Sequence, residues 1–305
     1  MRSRAAMTVF VFAAGAIALA GCGQEVGTQS ARPLVVASFY PHYEFARQVA
    51  GDRAEVISLV PTGAEPHDWE PSPQDVVRIG QARVFVYNGA GFERWIDSLA
   101  GGVGATGAVT VRATDGIELL TADRRGERTA VADPHVWLDP VLVQHEVEAI
   151  RSALAKADPP NETAYADRAR AFTTRLAALD ATYAKGLAQC ARRDLIVSHD
   201  AFGYLARRYR LLVVPVMGLA PDAEPSPAQL ASIIRLATRR SVKYVFFESL
   251  VSPKLAETLA REVGARTLLL NPIEGRTREE AAAGKGYVEL MEENLTNLRT
   301  ALECR

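Results

Sequence analysis

The chain has 305 residues, 48% of them hydrophobic and 23% charged, with 35 Lys and Arg against 36 Asp and Glu. That length suits two lobes or one large α/β domain, and the composition can build a full core, which excludes whole-chain disorder, a collagen-like repeat and a multi-span membrane protein. A formal net charge of −1 gives no basic footprint, so nucleic acid is excluded as a partner.

At the N-terminus Arg2 and Arg4 precede any acid, and Met7 to Ala20 is almost wholly apolar but too short for a good transmembrane helix. The run ends Leu19-Ala20-Gly21-Cys22, which resembles a bacterial lipobox. The resemblance implies that residues 1–21 are a lipoprotein signal peptide and that Cys22 is lipidated, with residues 22–32 as a polar tether. The alternative is an ordinary cleavage site followed by a chance cysteine. The mature chain is then extracytoplasmic, anchored by lipid to a membrane in the periplasm or on the outer cell surface. Disulfides persist in such a compartment. Cys190 and Cys304 remain, a pairable number, so a bridge pinning the C-terminal tail is expected, with two buried free thiols as the alternative.

Strand-type runs lie at 33–39, 54–60, 83–87 and 108–111, with helical patterns at 43–50, 74–81 and 92–99 between them. A further helix is expected around Val141 to Ala149. Strands alternating with helices predict a parallel sheet covered on both faces. The second half repeats the style, with strands at 195–198, 211–216, 244–247 and 267–270 and helices at 227–239, 253–263 and 286–302. Between the halves, after Asp158-Pro159-Pro160, apolar residues fall at Tyr165, Ala169, Phe172, Leu176, Leu179, Tyr183 and Leu187. Steps of 3 and 4 kept up for so long predict a helix of about 28 residues, roughly 42 Å, with Asn161 as its cap. The expected fold class is therefore α/β: two parallel-sheet lobes, 33–158 and 191–305, joined by one long spine helix at 159–190.

Three of the five histidines lie in loops. His67 follows the second strand in a proline-rich turn, His135 lies in Asp133-Pro134-His135-Val136-Trp137-Leu138-Asp139-Pro140, and His199 closes the strand at 195–198. Ligands of α/β sheets sit beyond the carboxyl ends of strands, and imidazole is the commonest metal ligand, needing an acceptor on its second nitrogen. Asp68, Asp139 and Asp200 are candidate acceptors. His42 could border the cleft, and His145 reads as a surface or packing residue.

The segments Gly63-Ala64-Glu65-Pro66-His67-Asp68-Trp69-Glu70-Pro71, Asp133 to Pro140 and Ser198-His199-Asp200-Ala201-Phe202-Gly203-Tyr204 resemble the zinc-uptake branch of the metal-ion substrate-binding proteins, the extracytoplasmic receptors of ABC-type importers. The likeness runs on through Ala223-Glu224-Pro225-Ser226-Pro227, Phe247-Glu248-Ser249 and Asn271-Pro272-Ile273-Glu274-Gly275, in order, over essentially the whole mature chain. It implies a metal cleft between the lobes, His67 and His135 from the first and His199 from the second, a monomer, and an ABC-type zinc permease as partner, with a metallochaperone as a further one. Many relatives hold an aspartate near Asn271; here Glu274 is the expected fourth ligand, with water or another acid as the alternative. Glu224 and Glu248 are second-rank supports or helix-start residues. Three imidazoles and one carboxylate suit Zn2+ as the transported ligand, whereas manganese prefers more oxygen. The histidine-rich loop of many zinc relatives has no counterpart in Thr121 to Arg128, so a single site is expected. The rivals are a zinc hydrolase with an open coordination position and a lipid-anchored adhesin with structural zinc. No His-Glu-x-x-His helix or Gly-x-Ser-x-Gly elbow supports an enzyme.

Overall fold

The computed structural model of the protein describes residues 32–99, 107–122, 131–221 and 225–305. The signal segment, Cys22 and nearly all of the tether lie outside the described residues, as does most of the 121–128 stretch. Strands β1 (Leu34–Ala37), β2 (Glu55–Ser58), β3 (Val84–Tyr87) and β4 (Val109–Arg112) pair in parallel in the order β2-β1-β3-β4. β5 (Thr121–Ala122) and β6 (Val131–Ala132) add a short antiparallel ribbon that the sequence did not announce. The main strands are apolar on both faces because both are covered. Val35, Val84 and Val86 cluster with residues of α1 (Tyr40–Ala50) and α3 (Pro140–Ala157), while Val36 and Phe85 cluster with Ile79 of α2 (Pro73–Gln81). α2 begins where expected because Ser72 and Asp75 form a reciprocal capping box ahead of Pro73.

The second half is wired the same way. β7 (Asp194–Val197), β8 (Leu212–Pro215), β9 (Tyr244–Phe247) and β10 (Arg266–Leu269) pair in parallel in the order β10-β9-β7-β8. Numbered within its own half, each sheet therefore runs 2-1-3-4, and the winding reverses beside the first strand, where a crevice opens at the carboxyl ends. α6 (Pro227–Arg239) and α7 (Lys254–Val263) build a separate small core with Ile196 and Val245. α5 (Gly203–Tyr209), α8 (Arg278–Ala282) and α9 (Tyr287–Ala301) complete the half.

α4 (Glu162–Gly186) is the spine, and it buries the predicted stripe from Tyr165 to Tyr183. It is 25 residues long, shorter than the periodicity suggested, because Pro159–Asn161 forms a separate 3-10 turn. Asn161 does not cap it; the Asn161 amide donates to Asp158 Oδ2 instead. The stripe belongs to one continuous core that also holds Val35 and Val84 of the first sheet and Leu195 and Val197 of the second. Hydrogen bonds cross between the halves as well: Trp137 Nε1 donates to Pro272 O at 2.8 Å, Gly63 N to Arg276 O at 2.8 Å, Tyr204 Oη to Asp133 O at 2.9 Å and Tyr287 Oη to Trp137 O at 2.6 Å.

The helix expected at 92–99 is absent; only a 3-10 turn at Ile96–Ser98 forms. Gly89, Ala90 and Gly91 all take positive φ there, and buried Glu93 accepts from Ser38 Oγ, Asn88 N and Gly89 N, which holds the segment as a loop. No helix among the described residues is long and apolar enough to cross a membrane. Cys190 and Cys304 form a disulfide, at a sequence separation of 114 residues, that ties the end of α9 to the segment leaving α4. Removing it by Cys190→Ser with Cys304→Ser is expected to cost roughly 2–5 kcal/mol of stability. A lowered thermal midpoint in calorimetry, with zinc stoichiometry unchanged, is the expected outcome.

Candidate metal centre

His67 lies in the loop after β2, His135 between β6 and α3, His199 directly after β7 and Glu274 in the loop after β10. Two of these loops use one local device. In Glu65-Pro66-His67 and Asp133-Pro134-His135 the proline fixes its own φ, and the acid before it turns forward to accept the histidine's main-chain N–H. His67 N donates to Glu65 Oε2 at 3.0 Å, and His135 N to Asp133 Oδ1 at 3.0 Å.

All three Nε2 atoms converge on one carboxylate oxygen. Glu274 Oε1 stands 3.2 Å from His67, 3.2 Å from His135 and 3.1 Å from His199. Four ligands about 2.0 Å from a tetrahedral ion stand about 3.3 Å apart, so this oxygen is already at tetrahedral-edge separation from every nitrogen. The four donor atoms lie within 4.8 Å of one another, and all four residues are buried. Phe92 packs on the His67 ring at 4.7 Å between centroids, and Trp137 on His135 at 5.2 Å, forming apolar walls.

The second nitrogens have partners too. Asp133 Oδ1 lies 2.8 Å from His135 Nδ1, and both oxygens of Glu248, directly after β9, lie 2.8 Å from His199 Nδ1. Those contacts fix the tautomer that points Nε2 at the centre. They also set the charges. Burial works against a charged His199, yet the Glu248 and Glu274 charges raise its pKa well above the usual range. Burial likewise opposes a charged His135, and the hydrogen bonds to Asp133 and Glu274 raise it. Burial alone would lift the Glu274 carboxyl; the charges of His67 and His199 and the hydrogen bonds from His135 and His199 hold it well below the carboxylate range. The metal-free cage thus sets a carboxylate beside His135 and His199, whose charged forms it favours, a ready cation site once those protons leave.

Of the predicted supports, Glu248 reaches a histidine and the three aspartates do not. Asp68 points to solvent, since the residue after a turn histidine faces outward, and only its main-chain N–H joins the loop. Asp139 caps α3, accepting from Val141 N at 2.9 Å, and pairs with Arg208. Asp200 is half-buried with its carboxyl pushed up, by burial first and then by the Asp133 charge, and its main-chain N–H goes to Gly218 O. Glu224 lies outside the described residues. His42 is not at the cleft; it is fully buried, 3.3 Å from Glu146. His145 is exposed, as expected.

Asp133 is the support that sequence reasoning passed over. The signal was available in the acid-Pro-His repeat, which places the useful acid two residues before the histidine rather than after it. Asn271 is equally informative. Its side chain donates to Glu280 and accepts from Ile273 N, while its main chain bonds the Asn294 amide on both sides, so it frames the loop, and it is Glu274 that reaches the histidines. That frame holds Ile273, a buried β-branched residue, at φ +57°, a conformation such residues rarely adopt.

Replacing Glu248 with glutamine is expected to weaken zinc binding about 10–100-fold while one ion is still held, as loss of an orienting carboxylate does. Competition with a chromogenic zinc chelator measures it.

Comparison with known proteins gives consistent likenesses. The sequence model of the family described as ZnuA, zinc-uptake complex component A periplasmic, matches residues 35–301. The high-affinity zinc uptake system protein ZnuA of Bacillus subtilis (strain 168) is 40% identical over 308 residues, covering 96% of this chain and 97% of its own. The crystal structure of the Zn(II)-bound ZnuA-like domain of Streptococcus pneumoniae AdcA is similar at a TM-score of 0.78 and 39% identity, covering 89% of this chain and 99% of that one. The laminin-binding protein Lmb of Streptococcus agalactiae, described as bifunctional with adhesin and metal-transporting activity, is similar at a TM-score of 0.79 and 32% identity, over 88% of this chain and 99% of its own.

Proposed function

This chain belongs to the ZnuA family of zinc-uptake components, and we propose that it is an extracytoplasmic receptor that captures Zn2+ and delivers it to an ABC-type membrane permease. The observation that carries the reading is the convergence of His67, His135 and His199 Nε2 on Glu274 Oε1. Four donors arriving from both halves of the molecule complete a tetrahedral shell, which suits a bound cargo, whereas a hydrolytic zinc keeps one position open for water. Membership in a transport family points the same way. Three imidazoles and one carboxylate favour zinc over manganese.

In this reading Asp133 and Glu248 position the rings and take no part in the shell itself. Cys22 carries the lipid that keeps the receptor at the membrane, and the working unit is a monomer. Capture displaces protons from the imidazoles. Delivery follows when the permease disturbs a ligand loop, since the shared core and spine tie the two halves together. A metallochaperone is a second partner.

The test is metal analysis by mass spectrometry on the chain from Gly23 onward, stripped and then offered zinc with competing manganese, copper and nickel. One tightly held zinc per chain is expected, and cells lacking the protein should lose zinc-limited growth. A chain that retains no zinc, or holds manganese as well as zinc, would overturn the reading.

A further inference from the structure

Gly203, the first residue of α5, has no side chain at a crowded place. A β-carbon there would stand 2.6 Å from Asp133 Oδ2 and 3.4 Å from Leu120 Cδ1. Non-bonded carbon atoms pack best about 3.5–4.0 Å apart, so the first contact is a clash. Backbone freedom is not what glycine supplies here, since its φ lies outside the left-handed region. At such a position alanine ordinarily stabilises a chain. What glycine supplies is room for the Asp133 carboxylate.

Asp133 cannot simply retreat. Its main chain is pinned on both sides: its N–H donates to Leu120 O at 2.7 Å, and its carbonyl accepts from the Tyr204 hydroxyl at 2.9 Å. That hydroxyl also accepts from Leu120 N at 2.9 Å. Pro134 follows with its φ fixed by the ring, and its carbonyl accepts from Asn88 Nδ2 at 3.0 Å. Only the side-chain torsions of Asp133 are left to give. Its two carboxylate oxygens share one rigid plane, so moving Oδ2 drags Oδ1, the atom that holds both the main-chain N–H and Nδ1 of His135. Phe202 and Tyr204, on either side of Gly203, are fully buried, so α5 has little slack to back away.

We propose that Gly203 is a positioning residue of the metal centre: lacking a side chain, it lets α5 close on Asp133, and Asp133 in turn aims His135 Nε2 at the centre. The effect on affinity rests on the zinc reading, and the effect on the ring rests on the geometry alone. Gly203 follows shortly after His199 on one segment of the second half. That segment therefore supplies one ligand and sets the aim of another that belongs to the first half.

The test compares Gly203→Ala, Asp133→Ala and the double variant as full mature chains. Proton–nitrogen NMR of the stripped, histidine-labelled protein reads the ring Nδ1–H signals, and competition with a zinc chelator reads affinity. The His135 signal is the one that Asp133→Ala removes, and the His199 signal the one that Glu248→Gln moves. Gly203→Ala is expected to shift the His135 signal, leave the His199 signal in place and weaken zinc binding about 10–100-fold, as loss of an orienting partner does. In the Asp133→Ala background the same change should add less than about twofold, because the acid it acts through has gone. Shortening the acid also relieves the clash, so a Gly203→Ala chain that fails to fold should fold again as the double variant. An unmoved His135 signal, equal movement of both signals, losses that add in full, or a double variant unfolded where Asp133→Ala folds would each overturn the proposal. A wild-type chain that holds no zinc would sink the receptor reading, and the ring signals would still decide the role of Gly203.

Discussion

Replacing His199 with alanine is expected to weaken zinc binding by roughly two to three decades. Structural zinc sites hold the ion by about 10–16 kcal/mol, which is about 2.5–4 kcal/mol for each of four ligands, and each decade of affinity is about 1.4 kcal/mol. His199 is the most demanding case because its ring stands between two buried carboxylates, 3.1 Å from Glu274 and 2.8 Å from Glu248. Without the ring those carboxylates lose their shared partner, so the metal-free protein should also lose stability, by about 3–5 kcal/mol, the cost of breaking a buried pair. Zinc competition and thermal denaturation of the stripped protein measure the two effects separately. Asp68→Asn is the control: next to a cage histidine in sequence but with an exposed side chain, it should leave both close to wild type. Equal losses in the two variants would mean that the ligand set is wrong.

Acidification should release zinc, and the release should begin above the ordinary histidine range. His135 and His199 have raised pKa values in the metal-free protein, so both hold their protons to higher pH than an ordinary histidine, and zinc must displace them. Affinity should fall by about tenfold per pH unit for each proton displaced, so about a hundredfold per unit where both titrate. Zinc binding at pH 7 should release protons, visible as a calorimetric enthalpy that depends on the buffer's ionisation heat. The metal-free protein should respond in the opposite sense. Groups with raised folded pKa values contribute stability that is complete below the unfolded value near 6.5 and is lost as pH rises through the folded one. Glu274, with a depressed pKa, contributes above the unfolded carboxylate value and loses its share as pH falls through its own low value. From pH 9 down to about 6 the stripped protein should therefore gain stability while the zinc-induced rise in melting temperature shrinks. A zinc-induced shift that is flat across that window would contradict the charge state assigned to the cage.

Much of the architecture was legible because the patterns that announce it are local and redundant. The spine stripe from Tyr165 to Tyr183, the strand at Tyr244–Phe247 and the helix at Pro227–Arg239 follow directly from apolar spacing and capping residues. The 92–99 segment misled for a tertiary reason, since Glu93 spends its carboxylate on Ser38 and the Asn88–Gly89 main chain, and no local propensity records such a contact. The three histidines were legible from loop position and motif. Their partners were not: Glu248 is 49 residues from His199, and only the winding of β7 beside β9 brings them together. Asp133 was within reach, but the eye goes to the acid after a histidine, and proline geometry favours the one before.

The loop that presents Glu274 is held away from its own backbone preference. A buried isoleucine at φ +57° carries strain of about 1–3 kcal/mol, and it persists only because neighbours over-determine it. Here those neighbours are the Asn271 and Asn294 amides on one side and the Trp137 indole on Pro272 O on the other. The fourth donor is in effect a cocked latch whose catches lie outside the coordination shell. Loosening either catch, by Asn294→Ala or Trp137→Phe, is expected to let Ile273 relax and carry the Glu274 carboxylate away from the histidines with every histidine left in place.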